Sequence, residues 1–364
     1  MDNLSKSVNP FALKILPFVL EGERGNSLFS PLGLFVILCS LAEGASGETA
    51  NLINSFLNAG KPGGLAEAYG GWIEGLPAPN ETLFLSLANM VMIRDDFDVT
   101  RDYLERLTGE YGFFAAVRKF DSAALDEINR WVGETTRGKI TKILDKLLPD
   151  EKMVLANSIY FVGQWESRFQ HEATENADFH CADGRTSKVP MMFLRANLRY
   201  YGCPQYQAVD LGYVGGRFSM TAVLPADGES PDQVFAGCLD RGIPFGKEPV
   251  YGELRLPRFE MDAGMDAGVI LKKAGLEQIF SDQADFTGMN PRGDLNAGRM
   301  VQKSILSVDE SGTIAASVTA ATMQFRGMTL KKSEFTMTCD RPFIAAVFDN
   351  QYRLPILFAK IAVL

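Results

Sequence analysis

The reading of this chain turns on the stretch Asp309-Glu310-Ser311-Gly312-Thr313-Ile314-Ala315-Ala316-Ser317-Val318-Thr319-Ala320-Ala321-Thr322. After a charged start, Thr313 to Thr322 are uncharged, small or β-branched, and free of proline. At a period of two, Thr313, Ala315, Ser317, Thr319 and Ala321 share one face; Ile314, Ala316, Val318, Ala320 and Thr322 share the other. Neither face has a charge to desolvate and no amide donor is missing, so the segment can enter the centre of a sheet at little cost. Alanine and glycine hold it in no strand by themselves, and Gln324 to Lys332 read as an exposed loop. The same composition suits an Ala-rich flexible linker.

Outward from this stretch, strand-like runs fill the second half of the chain: Lys152 to Phe161, Ser219 to Leu224, Gly252 to Arg258, Phe343 to Phe348 and Leu354 to Leu364. Helical signals dominate the first third. Ser30-Pro31 pairs a capping residue with a first-turn proline. Further on, Ile128, Trp131, Val132 and Thr135 recur at helical spacing, with Gly138 as a natural stop. Pro17 inside the first helix predicts a kink or an early break. Helices early and strands late, without a βαβ rhythm, point to an α+β fold. The length of 364 residues suggests two or three domains, yet no linker, charge block or repeat divides the chain, so a single domain over 1–364 is expected.

The net charge of −9 argues against a basic nucleic-acid footprint. The longest nearly apolar run, Leu32 to Ala42, is far shorter than the roughly 20 residues a membrane helix needs, so no span is expected. Asp2, Lys14 and Pro17 make the N-terminus a poor signal peptide, which implies a cytoplasmic or leaderless-secreted protein, an extracellular site staying open. Asn80-Glu81-Thr82 is a glycosylation sequon that matters only on export. Cys39, Cys181, Cys203, Cys238 and Cys339 are odd in number and form no C-x-x-C, against both a disulfide framework and a zinc site; Cys39 should pack as a small hydrophobe.

Enzyme signatures fail in turn. His171 and His180 are the only histidines; Glu175 stands where a zincin needs its second histidine, and both read as loop residues. No G-x-S-x-G elbow occurs. Gly133 to Ile140 fits G-x-x-x-x-G-K, but Ile140 takes the place of the magnesium-binding hydroxyl, and the run lies at the end of a helical pattern. No metal, cofactor or catalytic residue is expected. Lys61 to Asn80 has no basic residue after Lys61, so this stretch offers no cationic face for a polyanion such as heparin.

Along nearly its whole length the chain resembles the serpins. Asn26-x-x-x-Ser30-Pro31 with Gly44-Ala45-x-Gly47-x-Thr49, then Ile128-Asn129-x-Trp131-Val132-x-x-x-Thr136-x-Gly138-Lys139-Ile140, are similar to motifs of that family. So are Asn157-Ser-Ile-Tyr160-Phe161-x-Gly163-x-Trp165, Val189-Pro-Met-Met192, Leu256-Pro257-Arg258-Phe259 and Asp285-Phe286-x-Gly288. Glu310-x-Gly312-Thr313 with Ala315-Ala316 resembles the hinge of the reactive loop, and Arg341-Pro342-Phe343 the strand after it. Each motif is weak alone; their order and spacing together are specific.

The resemblance implies about nine helices packed on three β-sheets, with a reactive-centre loop over about 310–338. It implies a metastable suicide-substrate inhibitor, not an enzyme, acting as a monomer that traps a serine protease in a covalent 1:1 complex. The protease cuts the loop and forms an acyl-ester; the cut loop then inserts into the main sheet. Strand addition of this kind is a general mode of recognition for which serpin insertion is a standing example. The hinge residues Glu310, Gly312, Thr313, Ala315, Ala316 and Ser317 suit insertion. The family's spacing, sixteen residues after Glu310, places the reactive bond at Arg326-Gly327; counting back from Arg341-Pro342-Phe343 favours Lys331 or Lys332. Either choice implies trypsin-like specificity. At the breach, where insertion begins, Glu310 should face Arg258 with Trp165 nearby. At the shutter Ser30 and Asn157 match the family, whereas Gly33 replaces a serine and Gln302 a histidine; glutamine can still satisfy the cluster but cannot titrate. The alternative implied by the family is a non-inhibitory carrier or chaperone, for which Thr313, Ala315, Ala316 and Ser317 lack the charged or bulky hinge expected.

Overall fold

The computed structural model describes residues 2–20, 25–58, 62–313 and 332–364. Eight α-helices lie among them: α1 (Asp2–Leu20), α2 (Pro31–Gly44), α3 (Gly47–Phe56), α4 (Pro62–Glu74), α5 (Arg101–Tyr111), α6 (Ser122–Thr135), α7 (Pro231–Arg241) and α8 (Ala267–Leu271). None of the described helices is long and apolar enough to cross a membrane. Helix α2 starts as its sequence predicts: Ser30 Oγ accepts from Gly33 N and Pro31 fills the first turn. It is buried on nearly every side, which explains its uninterrupted apolar sequence. The early break that Pro17 allowed does not occur, since α1 continues through it to Leu20. Its Val8, Phe11, Ala12, Ile15, Leu16, Val19 and Leu20 are buried, and this packing outweighs the local cost of a proline. Helix α6 ends at Thr135, and Gly138 takes a left-handed φ of 75° just beyond it.

Fifteen strands build the rest: β1 (Ser27–Phe29), β2 (Leu83–Arg94), β3 (Phe114–Arg118), β4 (Met153–Gln164), β5 (Glu175–His180), β6 (Thr186–Gly202), β7 (Tyr206–Gly212), β8 (Phe218–Pro225), β9 (Val250–Pro257), β10 (Phe259–Asp266), β11 (Arg299–Val308), β12 (Gly312–Thr313), β13 (Phe335–Thr338), β14 (Phe343–Asp349) and β15 (Leu354–Ile361). The main sheet has the order β10-β11-β12-β4-β2-β3. The other nine strands form a continuous surface that the 17-residue β6 divides into two sheets. Residues 191–198 of β6 pair with β9, in a sheet with β5 and β13; residues 199–202 pair with β7, in a sheet with β8, β14, β15 and β1. The α+β fold with three sheets is thus as expected.

A large core joins α1–α5 to the sheets, and a second, smaller one lies between α6 and the main sheet. There Ile128, Trp131 and Val132 of α6 cover Met90 and Met92 of β2, Val154 and Ala156 of β4, and Val301 and Ile305 of β11. The helical spacing of those three residues therefore marks the face that α6 lays on the sheet. The five cysteines are free thiols, and Cys39 is buried within α2.

Candidate functional site

Strands β11 and β4 run side by side in parallel from Arg299 opposite Val154 to Ile305 opposite Tyr160. Above that rung they part, and the two residues of β12 occupy the fork: Thr313 pairs with Val308 on one side and Gly163 on the other. The turn that delivers β12 is held by its own first residue. Asp309 Oδ1 accepts from the backbone N–H groups of Ser311 (2.8 Å) and Gly312 (3.0 Å), an Asx-type arrangement. Gly312 is required by space, because a Cβ there would lie 2.0 Å from the Gly163 carbonyl oxygen.

Thr313 is fully buried, and its hydroxyl lies 2.7 Å from that of Tyr213. Burial drives the Tyr213 phenol far above its usual range while the bond to Thr313 works weakly the other way, so the ring stays neutral. Tyr213 stacks on Trp165 at 4.5 Å with an interplanar angle of 14°. Trp165 in turn grips the turn twice: its Nε1–H donates to Asp309 O and its backbone N–H to Ser311 O, both at 2.9 Å.

Glu310 is 1% exposed. Its Oε1 accepts from Arg258 (2.5 Å) and from the Thr174 hydroxyl (2.7 Å). Burial alone would raise the Glu310 carboxyl; the Arg258 and Thr174 hydrogen bonds and the Arg258 charge outweigh it and hold the group below its ordinary value. Oε2 lacks a hydrogen-bond donor within range, with the imidazole Nδ1 of the mostly exposed His171 3.7 Å away. His171 lies in the short helix His171–Ala173, whereas His180 ends strand β5 rather than lying in a loop.

Lower on the same sheet, Ser30, Gly33, Asn157 and Gln302 converge. Gln302 Oε1 accepts from Ser30 N (2.7 Å), while Gln302 Nε2 donates to Ser30 O (3.1 Å) and Asn157 Oδ1 (2.8 Å). Asn157 Nδ2 donates to Asn89 Oδ1 at 2.8 Å, and Asn89 to the Tyr69 hydroxyl at 3.4 Å. Ser30 Oγ donates to Ile356 O at 2.7 Å. A Cβ on Gly33 would fall 2.1 Å from Asn157 Oδ1, so the asparagine fills the space a side chain at 33 would need. Every member is buried and bonded, which a polar cluster needs if it is not to destabilise the core.

The expected residues thus form two groups: Trp165, Arg258, Glu310, Gly312 and Thr313 at the fork, and Ser30, Gly33, Asn157 and Gln302 beneath it. Ala315, Ala316, Ser317, Arg326, Gly327 and Lys331 lie outside the described residues. Lys332 is exposed just before β13, where Ser333 Oγ donates to Glu253 and Glu334 N to Tyr251 O. Sequence reasoning missed Thr174, His171, Tyr213, Asn89 and Tyr69. Asn89 sits within β2 and Tyr213 just past the end of β7, but nothing local distinguishes Thr174 from any other threonine.

The sequence profile of the family described as Serpin (serine protease inhibitor) matches residues 6–363. This chain belongs to the serpin family. An uncharacterized serpin-like protein of Thermococcus kodakarensis is 30% identical over 342 residues, 91% of this chain and 79% of that relative. Leukocyte elastase inhibitor A of Mus musculus is 29% identical, with 96% of each chain covered. Among solved structures, the thermophilic serpin tengpin in its native state superposes with a TM-score of 0.90 at 26% identity, covering 100% of this chain and 94% of that one. The family's description is that of serine protease inhibitors, which connects the fork to protease inhibition in general.

Proposed function

We propose that this serpin, a single domain over 1–364, is a suicide-substrate inhibitor of trypsin-like serine endopeptidases. The protease's serine oxygen attacks the Arg326 carbonyl carbon, the Arg326-Gly327 C–N bond breaks, and the departing Gly327 amine takes up a proton. The Arg326 acyl group is then held as an ester. Insertion of the freed loop between β11 and β4 carries the ester and its protease away before water can hydrolyse it.

The observation that carries this reading is the fork itself. Gly312 and Thr313 already occupy a strand position between β11 and β4, and below them the two strands pair directly. Continuing the register from Thr313 opposite Gly163 would bring Ala315 opposite Phe161 and Ser317 opposite Ile159. These small side chains would face the interior with Thr313, and Ile314, Ala316 and Val318 would face α6. Each rung gained contributes about 0.5–1.5 kcal/mol. Trp165, Arg258 and Glu310 act as the breach that fixes the start of insertion; Ser30, Gly33, Asn157 and Gln302 act as the shutter beneath the strands that separate. The tethering of Ser333 and Glu334 to β9 favours Arg326 over Lys332 as the reactive residue, since a bond beside an anchored strand is hard to present to a protease.

The test is incubation with trypsin, denaturing electrophoresis, and the mass of the released C-terminal fragment. An SDS-stable band near the summed masses, with the fragment beginning at Gly327, is expected. Complete cleavage without such a band, for trypsin and for a panel of other proteases, would overturn the inhibitory reading.

A further inference from the structure

We infer that Arg137 is a clamp on the fork of the main sheet and sets how fast the sheet accepts a strand. This rests on the insertion reading above. Arg137 follows the last turn of α6 with a left-handed φ of 53°, a conformation disfavoured for a long side chain, although a glycine stands next to it. That backbone carries its guanidinium over the ring of Phe84 on β2, with the central carbon 3.6 Å from the ring centroid. Phe84 lies 5.6 Å, centroid to centroid, from Tyr160 on β4. Tyr160 is the rung opposite Ile305, the last before β11 and β4 part. Burial raises the Tyr160 phenol and the Arg137 charge opposes the shift, so the cation is felt on both rings.

One rung further down the same face, Thr135 Oγ1 lies 3.4 Å from Ser158 Oγ. The end of α6 is therefore tied to β2 and β4 at the place where the fork must lengthen. Deeper along α6 the contacts with the sheet are apolar, through Ile128, Trp131 and Val132. Such contacts slide without a defined breaking point. A planar cation on a ring is lost over a short displacement, so Arg137 is the contact that yields first. A strand entering beside Tyr160 must lift this end of α6, and the lift removes Arg137 from Phe84. The role is kinetic: the clamp holds the closed sheet and is absent from the inserted one.

The probe is a synthetic peptide with the sequence Thr313 to Thr322, added to the full chain and followed by native electrophoresis. R137Q keeps the polar stem and removes the cation, R137K keeps the charge without the planar stack, and F84L removes the ring. R137Q should take up peptide about twofold to fivefold faster than the parent, the range of an exposed cation–π contact. R137K should fall between them. R137Q added to F84L should give no further acceleration, because the two changes remove one contact. Hydrogen exchange at the Tyr160 and Ile305 amides should quicken in R137Q, with the urea midpoint little changed. If the parent and R137Q take up peptide at the same rate, the clamp is refuted and insertion stands. If no variant takes up peptide at all, insertion and clamp fail together.

Discussion

Replacing Thr313 by arginine should convert this serpin from inhibitor to substrate while leaving most of its native structure in place. Thr313 is wholly buried and bonded to an equally buried tyrosine. A guanidinium in that position would have to lose its water against a neutral phenol rather than a paired carboxylate, a penalty of several kcal/mol per ion. The native protein has an exit: Gly312 and Thr313 can withdraw from the fork, giving up the rungs to Val308, Gly163 and Gln164 and the bond to Tyr213. At about 0.5–1.5 kcal/mol per hydrogen bond, plus the cost of an unpaired phenol, that exit costs roughly 2–4 kcal/mol. In the inserted state proposed above, the strand would continue without a break from this residue, and that exit would be closed. An extra 3 kcal/mol on the insertion step slows it by about a hundredfold, enough to let hydrolysis of the ester compete. The assay is titration of trypsin, counting molecules of serpin consumed per protease inactivated, with the SDS-stable band scored in parallel. T313V is the control. It removes the bond to Tyr213, for about 1–3 kcal/mol, but adds no charge, so trapping should survive. If T313R traps as efficiently as the parent, or if T313V loses trapping as completely as T313R, the buried-charge reasoning is wrong.

Other outcomes follow from the two buried clusters. G33A should cost about 1–3 kcal/mol in urea denaturation, because the new methyl displaces Asn157 and with it the bonds to Gln302 and Asn89; G33S should be no better. R258A leaves Glu310 buried with Thr174 as its remaining side-chain donor and should destabilise by about 1–3 kcal/mol, below the range for a fully buried pair because Arg258 is 44% exposed. The Glu310 carboxyl is held below its ordinary value of 4.5, so its contribution to stability is complete above that pH and is lost as the pH falls through the lowered folded value. Parent protein should therefore lose more stability than E310Q on acidification below about 4.5, and parallel acid titrations of the two would contradict the assignment.

The sequence discloses the fold where patterns are long. Ser30-Pro31, the Ile128-Trp131-Val132 spacing and the apolar run of β4 each lie where the local signal places them, because burial and periodicity coincide there. Pro17 does not end α1, because tertiary packing on one face of the helix overrides a local penalty. At the fork, Glu310 with Arg258 and the gripping role of Trp165 are reachable only through family resemblance, as their partners are 52 and 144 residues distant along the chain. Thr174, 136 residues from Glu310, is legible by neither route, since a single hydroxyl at a short helix carries no pattern. Gln302 is the instructive intermediate. Chemistry predicts that an amide can satisfy a donor and an acceptor at once, and it does so between Ser30 and Asn157.

The turn from Asp309 to Gly312 has a consequence for the order of events. Starting a new strand inside a sheet is the slow part of most pairing reactions, because a reversal must be closed before any rung repays it. Here the reversal exists in the resting protein, stitched by the Asp309 carboxylate and pinned by Trp165. The proposed insertion would resemble a zipper whose slider is already engaged, each further rung adding to a formed nucleus. On the proposed mechanism it would also set the direction of travel, from the fork down the sheet beneath α6. A strand from a second copy would have to nucleate elsewhere and without the tether, so at dilute concentrations the molecule's own loop has the advantage of effective concentration.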